Sequence, residues 1–364
     1  MVSDIPSIAV AVVQWQAAYG RNHLPWQQTR DPYRVWLSEI MLQQTQVSTV
    51  LGYYERFLER FPDVMCLASA AQDDVMALWS GLGYYSRARN LHQCARKIAS
   101  EHGGQFPSNA ASLATLPGIG RSTAAAIASF CFGERAAILD ANVKRVLTRV
   151  LAYGEDLSCS RNEKALWTLA EQLLPTENLH EQMPRYTQGL MDLGAAVCVP
   201  RNPLCLVCPL HTVCCAARQG NPQSYPVKTR KIRRSTQTWW LLVLRDAQGR
   251  LWLQRRPVSG GDNAIWAGLY SPMIFSSAQG LEVAVQTLGI SVQSRADWPV
   301  ELHVLTHRDL HLYPVVVQIS ASQQPVSGVC LAFDGAWWDA VAWEALGLPA
   351  PVRKLLLAVQ VAVC

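Results

Sequence analysis

Along this 364-residue chain the spacing of apolar positions changes once, and the change divides the molecule. From Ser7 to about Leu193 apolar residues recur every three or four positions without strand-like alternation, which predicts an almost wholly helical segment. Helices are expected near 46–60, 72–79, 86–101, 142–152, 162–173 and 184–197. Another starts at Asp31-Pro32, an acidic cap with proline at the first helical position, and runs over 33–42. Past residue 235 the pattern shortens to β-rich runs at 238–244, 251–254, 300–305 and 312–319, with a Gly260-Gly261 turn and a helical piece near 281–288. The two textures are joined by Gln-Gly-Asn-Pro-Gln and then Lys228, Arg230, Lys231, Arg233 and Arg234 with no acid among them. The expected architecture is multidomain: an all-α domain over 1–216, a basic linker over 217–235 and a small α+β domain over 236–364. No internal repeat or extended low-complexity segment is present.

A net charge of +5 permits a nucleic-acid partner without requiring one. No run approaches 18 uninterrupted apolar residues and the N-terminus lacks a basic stretch followed by an apolar one, so neither a membrane span nor a secretory signal is expected and the protein is read as cytoplasmic. Eleven cysteines would be out of place there as disulfides, so some are expected to bind metal. Cys198, Cys205, Cys208 and Cys214 share one loop rich in proline (Pro200, Pro203, Pro209), with six, two and five residues between them. Four thiolates suit tetrahedral zinc or a cubane iron–sulfur cluster, and Cys-x-x-Cys alone does not choose. Cys215 is read as a non-ligand, and Cys66, Cys94, Cys131, Cys159, Cys330 and Cys364 as packing or surface thiols.

Two stretches carry candidate chemistry. Leu116-Pro117-Gly118-Ile119-Gly120 reads as a tight turn between helices, and the unpaired amides opening the second helix suit a phosphate of any sequence. The apolar run 136–139 then delivers Asp140 to the entrance of the next helix. Glu39 lies within an apolar helix among Trp36, Leu37, Ile40 and Leu42, where lost hydration raises its pKa and lets it keep a proton near neutrality.

The Leu-Pro-Gly-x-Gly turn with its downstream Asp140 resembles the helix-hairpin-helix DNA glycosylase superfamily, and the cysteine spacing is similar to the [4Fe-4S] loop of its endonuclease III and MutY branches. The segment Trp36-Leu37-Ser38-Glu39-Ile40-Met41-Leu42-Gln43-Gln44-Thr45-Gln46-Val47 is close to the signature of the MutY-type adenine DNA glycosylases. That resemblance implies adenine hydrolysis from duplex DNA opposite 8-oxoguanine or guanine, in base excision repair. Endonuclease III, the alternative, acts on damaged pyrimidines and has no acid at position 39. By resemblance, Glu39 protonates the departing adenine, Asp140 stabilises the oxocarbenium ion, Asn142 holds the sugar and Gln188 contacts the base, while Ser122 stands where strand-cutting relatives carry a lysine. The same resemblance implies that the four cysteines hold a [4Fe-4S] cluster of structural role. Gln43, Gln44, Leu82 and Tyr84 act at the opened base stack, and Gly118, Gly120 and Lys144 at the backbone. Less closely, the C-terminal part resembles the Nudix-like domain of the same family, through Ile265-Trp266-Ala267-Gly268-Leu269, and Thr306 and His307 stand at its lesion-reading loop. Glu282 is the only acid over 278–292, so no magnesium-dependent hydrolysis is expected. The protein is expected to work as a monomer.

Overall fold

The computed structural model describes residues 5–230, 233–258, 265–320 and 335–362, and the chain forms two compact units. One comprises Met1–Ala68 and Asn90–Lys231; the other comprises Ser69–Arg89 and Ile232–Cys364. The Gly260-Gly261 turn, Lys231 of the basic run, Cys330 and Cys364 lie outside the described residues.

The first unit is helical. Its elements are α1 (Ile5–Tyr19), α2 (Pro32–Leu42), α3 (Val47–Arg60), most of α4 (Val64–Ser69), then, after α5 of the other unit, most of α6 (Ser86–His102), α7 (Ala110–Leu113), α8 (Arg121–Phe132), α9 (Ala141–Val150), α10 (Ser160–Gln172), α11 (Leu179–Asp192) and α12 (Cys215–Arg218). Local chemistry sets several of the starts. Asp31 caps α2, its Oδ1 accepting from the Arg34 amide at 3.0 Å, with Pro32 at the first helical position. Asp140 caps α9 in the same way, accepting from Val143 N at 2.7 Å. The helix expected over 184–197 starts earlier, at Leu179, and runs through Pro184 before ending in a π-turn, Leu193–Val197. The core beneath these helices gathers Val12, Ala126, Val143, Leu147, Leu166, Met183 and Leu193, all buried. α8 and α11 are also tied by a buried hydroxyl pair, Ser129 Oγ to Thr187 Oγ1 at 2.8 Å.

Among the described residues the second unit is built on an eight-stranded mixed sheet. Its strands are β1 (Ser235–Arg245), β2 (Leu251–Arg255), β3 (Tyr270–Ser271), β4 (Met273–Phe275), β5 (Val292–Asp297), β6 (Glu301–Val304), β7 (Arg308–Ile319) and β8 (Gly335–Trp338). β1 and β7 run parallel at its centre, Leu242 opposite Val315, and their buried side chains pack with α13 (Ala278–Thr287). β3, β4, β5, β8 and the final helix, α14 (Ala350–Val361), were not legible in the apolar pattern. β3 and β4 are only two and three residues long, and β5 is exposed at every position.

The second unit also holds α5 (Gln72–Trp79) and the loop 80–85. Ser80 Oγ and Tyr85 Oη both donate to Leu348 O, at 2.7 and 3.1 Å, Arg89 Nη1 donates to Ala267 O at 2.6 Å, and Arg255 pairs with Asp73 at 2.9 Å. These polar contacts tie an early segment of sequence to the sheet.

Candidate active site

Glu39 projects from the middle of α2 into a cavity of about 320 Å³, whose wall also includes Gln16, Trp26, Gln27, Arg30 and Gln188. Helical periodicity puts Trp36, Leu37 and Ile40 into the core, so the carboxyl emerges where the helix meets the cavity. Desolvation, with the nearby Asp140 carboxylate adding to it, pushes the Glu39 pKa up from 4.5 to about 8. Asp140 is also raised by burial, but the amides of Val143 and Asn142 and the charges of Arg145 and Lys144 act against that rise. The pair is therefore unequal: burial raises both carboxyls, and Asp140 is the one with amides and cations acting against the rise.

The residues around the pair hold one another in place. Ser122 Oγ accepts from Leu139 N at 3.0 Å, linking the first turn of α8 to the segment that carries Asp140. Asn142 Oδ1 accepts from Arg145 Nη2 at 2.9 Å, which leaves its amide hydrogens as donors. Gln188 Nε2 donates to Asp192 Oδ1 at 2.9 Å, and Asp192 is fully buried and paired with Arg21 at 2.7 Å. A carboxylate only accepts, so this bond settles which end of the Gln188 amide is which and leaves Oε1 as the acceptor of this cavity-lining residue.

The turn before α8 combines close approach with open amides. Gly118 has φ 75, and a Cβ there would lie 2.7 Å from Asn90 Cβ. Gly120 instead has an extended backbone, φ −82 and ψ 168, with open space at its Cβ position. As the N-cap of α8 it offers no side-chain cap, so the first amides of the helix keep their donors outward. Lys144 is ion-paired with Glu163 at 2.5 Å. Gln43 Nε2 reaches Thr123 Oγ1 at 3.5 Å, and the neighbouring Gln44 is exposed in a left-handed conformation, φ 57.

Cys198, Cys205, Cys208 and Cys214 line one apolar pocket together with Val146, Leu193 and Leu210. Burial, with the other three sulfurs adding to it, pushes the Cys208 thiol up to about 11 and raises Cys214 as well. Among the described residues no three His, Cys, Asp or Glu side chains are grouped as ligands of a single metal ion. Four cysteine sulfurs lining one pocket are a donor set that suits a metal centre held by thiolates. Arg149, almost fully buried, donates to Cys198 Sγ at 3.3 Å and to the carbonyls of Val199 and Pro200 at 2.8 and 3.0 Å, and so shapes the loop.

Within the second unit, Tyr84 and Thr306 meet: their hydroxyls are 2.8 Å apart. Tyr84 is half exposed with φ 47, in a loop clamped by Arg87, which donates to Leu82 O and Gly83 O at 3.1 and 3.2 Å. Leu82 itself is buried at 5% exposure. A cavity of about 550 Å³ is lined here by Tyr84, Trp266, His303, Thr306 and His307. Glu282 is held by both guanidinium nitrogens of Arg295, at 2.8 and 2.5 Å.

Gln16, Gln27 and Arg30 at the first cavity, and the Arg21–Asp192 pair that holds Gln188, were not singled out in the sequence. A glutamine in a short loop carries no pattern until the fold shows which cavity it borders.

Comparison with known proteins finds two matching families. Residues 37–172 match the HhH-GPD superfamily of base excision DNA repair proteins, and residues 240–358 match the NUDIX domain. An adenine DNA glycosylase of Buchnera aphidicola subsp. Schizaphis graminum is 34% identical over 95% of this chain and 96% of its own length. Human adenine DNA glycosylase is 43% identical over 60% of this chain and 40% of its own. Among solved structures, a thermostable thymine-DNA glycosylase superposes with a TM-score of 0.52 at 29% identity, over 60% of this chain and 98% of that one.

Proposed function

Because the chain belongs to the adenine DNA glycosylase family, we propose that the 320 Å³ cavity receives an adenine extruded from duplex DNA opposite 8-oxoguanine or guanine, and that Glu39 and Asp140 together break its N-glycosidic bond. The observation that carries this reading is the inequality of the two carboxyls: Glu39, pushed up to about 8, holds a proton at neutral pH, while Asp140, also raised by burial, has two amides and two cations acting against that rise. Bond cleavage leaves negative charge on the purine and positive charge on the sugar. Glu39 delivers its proton to the adenine ring nitrogen at position seven, and Asp140 faces the developing oxocarbenium ion. After departure of the base, the ionised Glu39 takes a proton from the water that attacks the sugar.

Asn142, oriented by Arg145, offers amide hydrogens to the sugar, and the Gln188 acceptor meets the adenine amino group. Ser122 supports Asp140 through the Leu139 amide and places no amine beside the sugar, so base removal proceeds without efficient strand cutting. The amides following Gly118 and Gly120 bind a backbone phosphate; Lys144 reaches one by exchanging its Glu163 partner. Gln43, Gln44, Leu82 and Tyr84 act at the opened stack, and Thr306 and His307 read the lesion. Cys198, Cys205, Cys208 and Cys214 hold a [4Fe-4S] cluster, which when bound cross-links their loop.

A single-turnover assay tests the whole reading with two duplexes, adenine opposite 8-oxoguanine and thymine glycol opposite adenine. Cleavage of the first only after alkali is the expected result. Cleavage of the second without alkali would replace it with an endonuclease III-like lyase.

A further inference from the structure

Gln27 stands apart from the rest of the cavity wall. Both ends of its amide, Nε2 and Oε1, are buried and have no hydrogen-bond partner among the described residues. A buried amide unpaired at both ends is costly and calls for an explanation. The local backbone keeps it there. Pro25–Gln27 forms a 3-10 turn, Gln27 N donates to Leu24 O at 2.9 Å, and the adjacent Trp26 is buried edge-on against Tyr54 with ring centres 5.3 Å apart. The amide is thus fixed at the cavity instead of turning out to solvent.

We propose that Gln27 is a specificity-determining residue that reads the Watson–Crick edge of the extruded base, Oε1 accepting from the adenine N6 amino group and Nε2 donating to N1. This rests on the reading of the cavity as the adenine site and extends it. Glu39 serves N7, Gln188 Oε1 accepts one amino hydrogen, and Gln27 takes the other amino hydrogen together with N1. A guanine presents O6 where adenine presents its amino group. The Gln27 amide can turn over to suit guanine, but Gln188 cannot, because Asp192 holds its donor end, so two acceptors would face each other. Gln27 supplies affinity for the edge, and Gln188 fixes its polarity.

The test measures single-turnover release of adenine and of 1-deazaadenine, which lacks the N1 acceptor, both placed opposite 8-oxoguanine. The wild-type full-length protein and Gln27→Leu are compared. Any intrinsic difference in lability between the two bases is common to both proteins and cancels. The preference for adenine is expected to fall roughly ten- to a hundredfold in Gln27→Leu, the size of a lost bidentate contact, while affinity for an abasic product duplex, which has no base, stays unchanged. Gln27→Glu, which keeps an acceptor and loses the donor, should lose the preference over 1-deazaadenine but keep the preference over unsubstituted purine, which lacks the amino group. An unaltered preference in both variants would overturn the proposal and leave Gln27 as a holder of ordered water. If the wild-type protein released no adenine from any duplex, the fault would lie with the adenine site itself, and the role of Gln27 would fall with it.

Discussion

Glu39 is a buried acid inside an ordinary amphipathic helix, and its raised pKa has consequences for both rate and stability. Base release should be level through neutrality and fall as pH rises through about 8, where the carboxyl ionises; a pH–rate profile under single-turnover conditions checks this. The folded protein binds this proton more tightly than the unfolded chain, so stability is lost as pH rises from 4.5 to about 8, up to about 5 kcal/mol at ~1.4 kcal/mol per pH unit. Glu39→Gln should therefore abolish turnover while melting at a higher temperature than wild type above pH 8, and at nearly the same temperature below pH 4.5. Ser122→Ala should cost about 1 kcal/mol through the unpaired Leu139 amide and slow base release by loosening Asp140, with DNA affinity unchanged. Denaturant melts and binding isotherms separate those effects.

At the scale of the element, the two glycines of the turn before α8 have different duties. Gly118 combines a positive φ with a 2.7 Å approach to Asn90, whereas Gly120 has an extended φ and free space around it. Gly118→Ala should thus destabilise the protein by about 1–3 kcal/mol and weaken binding to any duplex equally, lesion or not. Gly120→Ala should leave stability within about 0.5 kcal/mol. Paired thermal melts and salt-dependent binding to undamaged DNA distinguish the two. Sequence reading identified the turn because its Pro-Gly punctuation is local chemistry. It could not assign the conformations separately, since the Gly118 constraint comes from α6, remote in sequence.

At the scale of the molecule, the compact units do not follow chain order, because residues 69–89 belong with the C-terminal sheet. Truncation after Lys231 removes the Leu348 and Ala267 carbonyls that receive Ser80, Tyr85 and Arg89. The shortened protein should be cut by protease within 69–89 under conditions where the full chain resists; limited proteolysis with mass mapping reads the site. The cysteine pocket makes a further prediction at this scale. Cys208→Ala should lower bound iron and sulfide together and loosen the loop that Arg149 braces, and a metal and sulfide assay with circular dichroism reports both.

What the sequence determined by itself is the part written in short-range chemistry. The cap at Asp31-Pro32, the turn at Gly118, the acid at the entrance of α9 and the four-cysteine loop each lie within one short stretch of chain, where spacing and backbone preference are sufficient evidence. The long central strands were visible for the same reason, since burial on a sheet imposes its own apolar run. Only the tertiary structure decided the rest. It brought Glu39 of α2 to one cavity with Gln188 of α11, directed the Gln188 amide through Asp192 and Arg21, and left the Gln27 amide buried without a partner. It also brought Tyr84 to Thr306. The reason is physical: desolvation and hydrogen-bond satisfaction depend on which distant groups share a cavity, and linear spacing does not contain that information.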